Sequence, residues 1–368
     1  MTELTRFDDY LNDEGPAALV IREHLMPVEG EDGVLFPATF APSKGFHSGY
    51  NIDTDATGKN VCLIDSVGSQ ANRIEPIFMQ QKYAHLVPRV VVKAGDKEVN
   101  ILEAGHRAGD ALVRCSELQQ ELQQAFKAVL DGNAEPLAKI APTSLVFGVW
   151  DSRDTQAKLP RLVASTIRAF NVRKLTRGAV YTPPLDYAAL EVFSEEEKAK
   201  AEDDGKSPPA KRGFVQIIAP ASHGGVIADG GIRRDATLGL AALRPLQAAG
   251  DRESTLALQR YILGLSLVAL TTNTSSYIRQ GCMLVLNPNE PREFAEVYPD
   301  GRRLPCSVTQ DDALEFATEA AHAFGVGDER VVDFGKERAK RDVKESAKKG
   351  SKSKKSTDSN NKGAAEDE

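Results

Sequence analysis

The first clear change of period along the chain comes at residue 66. The run VCLID, residues 61–65, is short and apolar, as a strand is. After it, Val67, Ala71, Ile74 and Phe78 fall at i, i+4, i+7 and i+11, one apolar stripe of a helix that either Asp65 or Ser66 can cap. Ser66, Gln70 and Arg73 share a second face, with Ser69 and Asn72 beside them and no carboxylate before Glu75. Hydroxyl, amide and guanidinium groups at the start of a helix suit an anionic, hydrogen-bonding ligand. Residues 146–172 repeat the arrangement. An apolar strand containing Trp150 leads to a polar loop with Arg153 and Lys158, and a helix is expected from about Leu159-Pro160. On that helix Val163, Ile167 and Phe170 would be buried, while Arg161, Ser165 and Arg168 repeat the spacing of Ser66, Gln70 and Arg73.

The rest of the chain alternates strand and helix signals. Residues 3–26 read as helical, broken at Gly15-Pro16. Residues 29–60 are rich in Gly, Pro, Ser and Asp and form a long loop carrying Lys44, His47 and Lys59. Residues 85–104 read as a β-hairpin about Ala94-Gly95-Asp96, and 116–132 as a helix ending at Gly132. Residues 194–213 form a charged, proline-broken insertion. A strand at 214–220 precedes the pairs Gly224-Gly225 and Gly230-Gly231, and Arg233-Arg234 leads into a helix. Residues 254–272 make an apolar core helix capped by Ser254; 282–288 and 292–299 are strands, and 311–324 the last helix. From Lys336 onward, ten basic residues stand against three acidic ones as far as Ser356, a composition that reads as a disordered tail. The order of elements favours an α+β or split βαβ arrangement.

Composition narrows the class. The chain has 368 residues, 41% of them hydrophobic, enough for two average domains or one with insertions. No run of 18 apolar residues and no signal peptide is present, so no membrane partner is expected. Cys62, Cys115, Cys282 and Cys306 lack any C-x-x-C spacing, which points to free thiols in a cytoplasmic protein. The net charge of −7 runs against a nucleic-acid binder, although the acids cluster at 29–32, 195–204 and 366–368, away from the arginine-bearing segments. No P-loop, H-E-x-x-H or G-x-G-x-x-G occurs. His223-Gly224-Gly225 is like an esterase oxyanion loop, but no G-x-S-x-G nucleophile accompanies it. The six histidines show no metal-ligand spacing. No catalytic residue, cofactor or metal is expected.

DSVGSQANRIEP at 65–76, GVWDS at 148–152 with KLPRLVASTIRA at 158–169, and the softer run HGGVIADGGIRRDATLGLAALR at 223–244 carry a resemblance. They resemble, in order and from about residue 15 to about residue 335, the RAMP-superfamily backbone subunit of subtype I-G (formerly I-U) CRISPR effector complexes. The resemblance implies a single domain over 1–335. Its fold would be an RRM-like (ferredoxin-like) palm with finger or thumb insertions near 29–60 and 186–213, and the tail would occupy 336–368. It also implies copies of the chain polymerising along guide RNA (crRNA), beside other effector subunits, with the guide held for pairing with target DNA. Arg73, Arg161, Arg168, Arg233 and Arg234 would then contact phosphates, and Ser66, Ser69, Gln70, Asn72 and Ser165 phosphate or 2′-hydroxyl groups. Lys44, His47 and Lys59 from the long loop, with Trp150, Arg153 and Lys158, complete the implied RNA-binding set. The alternative is an RNA-cleaving member of the superfamily, with His47 or His223 as the acid–base group.

Overall fold

Alternation, not helical spacing, governs the N-terminal segment. The structure, a computed structural model, describes residues 3–46, 48–273 and 276–344. Among the described residues, only two short 3-10 turns precede strand β1 (Ala18–Pro27), in which Leu19 and Ile21 point inward, so the helix expected over 3–26 is corrected to a strand. β2 (Asn60–Asp65) feeds helix α1 (Val67–Ile74), capped by Ser66, whose hydroxyl accepts the Ser69 amide. The expected hairpin forms between Val90–Ala94 and Lys97–Asn100, and the expected helix over Gln119–Leu130. Residues 146–147 close a short helix, Thr143–Phe147, leaving only Val149–Trp150 of the strand expected there.

The segment expected as a second polar-faced helix is strand β3 (Val163–Phe170). Val163, Ser165, Ile167 and Ala169 alternate inward and Ala164, Thr166, Arg168 and Phe170 outward. A spacing of four, as between Val163 and Ile167, satisfies both periods; the β-branched Val163, Thr166 and Ile167 settle the choice for the strand. β3 continues past Asn171 (φ +48°) into β4 (Val172–Tyr181), which pairs with β5 (Ile217–Ala228) as a two-stranded arm. The charged insertion between them contains helices Glu195–Asp203 and Pro208–Lys211. The chain returns through Gly230-Gly231, where a Cβ at Gly230 would lie 2.8 Å from the Phe170 carbonyl oxygen. It re-enters the sheet as β6 (Ile232–Gly239), so Arg233 and Arg234 lie in a strand and do not lead into a helix. Helix α2 (Arg252–Thr271) is capped by Asp251, not by Ser254, whose amide is the donor. β7 (Cys282–Leu286), strand Glu293–Val297 and helix α3 (Gln310–Phe324) fall where expected.

The fold is α+β. Neighbouring strands run β7-β1-β6-β3-β2, and every pair is antiparallel. Taken as β1, helices, β3, β6, α2, β7, the central four have the 4-1-3-2 order of a split βαβ sheet. α2 is long and apolar enough to cross a membrane by composition alone, yet 67% of that stretch is buried inside the protein. Its Tyr261 ring stacks on Phe324 of α3, and the Tyr261 hydroxyl donates to the Leu86 carbonyl at 2.8 Å.

One face of the sheet carries two apolar clusters. Leu19, Ile21, Val163, Ala236 and Leu238 belong to the cluster under the helices; Ile167, Ala169, Ile232 and Leu284 to a second one. Between them lies a buried polar row of Glu23, Ser165 and Arg234. Arg234 donates to Glu23 at 2.6 Å, and Glu23 also accepts from Arg292 at 2.8 Å. Four free cysteines are present, three of them buried. Residues 336–344, expected as the start of a disordered tail, are helical and tied to the body: Arg338 donates to the Ser116 carbonyl, and Asp342 pairs with Arg114 at 2.8 Å. Residues 345–368 lie outside the described residues.

Candidate nucleic-acid interface

The segment 105–114 and the hairpin formed by Val149–Trp150 with Lys158–Leu159 enclose a groove of about 770 Å³. Trp150 is 60% exposed, with the Lys158 ammonium 5.7 Å from the centre of its ring system. The hairpin loop is held from inside. Buried Asp151 accepts from the Thr155 amide at 2.8 Å and the Thr155 hydroxyl at 2.7 Å, so its charge is turned away from the groove. Arg153 and Lys158 are exposed, as is Arg161, whose Nε donates to the Phe147 carbonyl at 3.1 Å. Gly148, at φ +75°, makes that approach feasible: a Cβ there would lie 2.7 Å from Arg161 Cγ.

The groove floor is a buried arginine that the sequence pattern did not single out. Arg107 (φ +53°) donates to the Gly148 carbonyl and to Asn72 Oδ1, each at 3.3 Å. Its guanidinium lies 5.2 Å from the Phe147 ring centre, and its Nε is 2.7 Å from Glu75 Oε2. The close contact is ionic; neither Arg107 Nε nor Glu75 Oε1 has an aligned hydrogen bond. Burial pushes the Glu75 carboxyl up, against the opposing pull of Arg107. Arg107 thereby ties α1 to the hairpin that presents Trp150. Arg107 and Arg114 are offset by Glu75 and Asp342, and His106 faces Asp110 at 3.5 Å. Among the described residues, Arg153, Lys158 and Arg161 form no ion pair, so they supply the groove's uncompensated charge.

The structure gathers Asn72, Trp150, Arg153, Lys158 and Arg161 at this site, with Arg73 on the neighbouring α1. Arg73 is held by Asp65 at 3.1 Å, and the same buried carboxylate takes Arg279 at 2.9 Å. Three residues expected to meet RNA are instead internal. Gln70 is fully buried, donates to Asp65 at 2.7 Å and accepts from Ser165 at 2.9 Å, which satisfies both side chains inside the fold. Arg234 is 3% exposed and committed to Glu23. Ser66 serves as a helix cap, with Ser69 half-buried in the first turn. Arg168 and Arg233 face outward from the opposite side of the sheet, while Lys44 and Lys59 lie exposed in separate turns. His47 lies outside the described residues, and His223 is exposed on the arm with its ring 5.0 Å from Tyr50. Arg107 and Arg114 left only a weak trace in sequence, two arginines in the glycine-punctuated run 105–114. Among the described residues, no cluster of His, Cys, Asp or Glu could hold a metal ion.

No curated protein matches the chain. Residues 19–174 match the model of a family described as CRISPR-associated protein GSU0053, a span that runs from β1 through β3 and contains every groove residue named above.

Proposed function

We propose that the chain is a non-catalytic, cytoplasmic RNA-binding subunit of a subtype I-G CRISPR effector complex. Copies lie side by side along the guide RNA, with other effector subunits, and leave the bases open to pair with target DNA. The observation that carries this reading is the groove: Arg153, Lys158 and Arg161, with no ion pair among the described residues, beside a 60% exposed tryptophan, inside the segment that matches a CRISPR-associated family. Long-stemmed cations such as Lys158 track phosphates, and an exposed indole stacks on bases of any identity. Such a grip carries no sequence preference of its own, as a subunit must whose guide does the reading by base pairing. The acidic balance of the whole chain keeps other faces from collecting nucleic acid indiscriminately.

Ultraviolet cross-linking of bound single-stranded RNA, followed by peptide mapping, tests the assignment. The expected adducts fall on the peptides containing Trp150 and the hairpin around it. Adducts confined to the arm or to α2–α3, with none on the hairpin, would remove the groove as the interface.

A further inference from the structure

Three residues expected to touch RNA, but lying outside the groove, converge elsewhere. β3 ends by turning Thr166, Arg168 and Phe170 outward, and β6 beside it turns Arg233 and Asp235 outward. In the register of the pair, Arg168 stands directly opposite Arg233, and Thr166 opposite Asp235. Like charges directly opposite on neighbouring strands repel, so the pair is tolerable only with counter-charge. Asp235 supplies part of it, accepting from Arg233 at 2.9 Å, but Arg22 shares that carboxylate at 3.6 Å. Among the described residues, Arg168 has only the Thr166 hydroxyl, at 2.7 Å. The Arg233 guanidinium lies 5.0 Å from the centre of the Phe170 ring. Phe170 also lines a separate cavity of about 470 Å³ with Lys59, Asn171 and Thr54. The acids at that cavity are Asp53 and Asp55, and Asp55 is occupied by its own turn, accepting from the Thr57 amide at 2.8 Å and the Lys59 amide at 3.1 Å. Arg161 leads into β3 and Phe170 ends it, so the two places are roughly 25–30 Å apart along the strand.

We propose that this end of the sheet is a second nucleotide subsite: one base of a single-stranded RNA stacks on Phe170 from the cavity side, and its flanking phosphates engage Lys59 and the Arg168–Arg233 pair. The inference rests on the RNA-binding reading and extends it. The aromatic ring supplies a base-dependent attraction, and the opposed arginines gain the counter-charge their register lacks. The strand thus connects two places that grip one RNA, the groove at its start and the subsite at its end.

The test uses the full chain and two probes of equal length: a short oligoadenylate, and a ribose-phosphate oligomer lacking its bases. Wild-type protein should favour the oligoadenylate. Phe170→Leu should cut that preference by about ten-fold while leaving affinity for the abasic oligomer unchanged, and Phe170→Tyr should restore it. Arg168→Gln combined with Arg233→Gln should weaken both probes alike and lower the salt slope, with the thermal midpoint held. If Phe170→Leu keeps the wild-type base preference, the subsite is wrong and the groove reading stands. If wild-type protein binds neither probe, both fall together.

Discussion

Arg153→Ala combined with Lys158→Ala is expected to weaken binding of single-stranded RNA by roughly ten-fold or more at physiological salt, and equally for every sequence tested. The same change should lower the slope of log K against log salt by about 1.4, close to 0.7 for each phosphate no longer neutralised. Both side chains are exposed and form no ion pair among the described residues, so folding stability should stay within about 0.5 kcal/mol of wild type. Arg161 is left out of this variant because its Nε holds the Phe147 carbonyl, and its removal would mix binding with structure. Fluorescence anisotropy over a salt series separates the outcomes. An unchanged slope would show that the two cations do not meet phosphate.

Arg234→Met should act on stability and not on RNA. Arg234 and Glu23 are 3% and 8% exposed, and their ion pair, at 2.6 Å, spans the buried polar row of the sheet. Burial alone would raise the Glu23 carboxyl, but Arg234 and Arg292 outweigh it and hold the group below its ordinary range. Removing the arginine leaves the carboxylate with Arg292, which is itself partly exposed, and breaking a buried pair in this way costs about 3–5 kcal/mol. A Glu23→Met, Arg234→Met double variant should recover most of that stability, because it leaves neither charge stranded. The pH dependence has a definite sign. Because Glu23 is depressed in the folded state, the pair stabilises the protein above the ordinary carboxylate pKa, and that contribution is lost as pH falls through the depressed value. The double variant should therefore lose this part of the acid sensitivity. Urea midpoints across a pH series measure both effects. A mild Arg234→Met phenotype with abolished RNA binding would return that arginine to the interface.

Sequence patterning located some elements because one signal dominated there. The Ala94-Gly95-Asp96 turn lies between two β-rich runs, the Ser66 cap precedes a clean apolar stripe, and the run that becomes α3 keeps its period throughout. It failed at 18–27 and 163–170, where residues four apart fit both periods and only cross-strand pairing decides. Arg233 and Arg234 show the cost of that ambiguity: adjacent in sequence, they point to opposite faces of one strand, one outward and one into a buried ion pair. Trp150, Arg153, Lys158 and Arg161 stand out in sequence and lie together at the groove, although Asp151 and Asp154 flank Arg153 in the chain. The burial of Gln70 and Ser165 and the floor built by Arg107 and Glu75 were not legible. Each depends on partners from segments distant in the chain, Gln70 with Ser165 and Arg107 with Gly148.

The central claim is that this chain holds guide RNA, and co-expression with a CRISPR repeat–spacer transcript tests it most directly. The protein is purified through a high-salt wash, its 260/280 nm absorbance ratio is read, and the retained RNA is sequenced. A uniform population of guide RNA in a multi-copy particle is the result predicted here. Protein that emerges free of RNA, and stays so when candidate partner subunits are supplied, would contradict it.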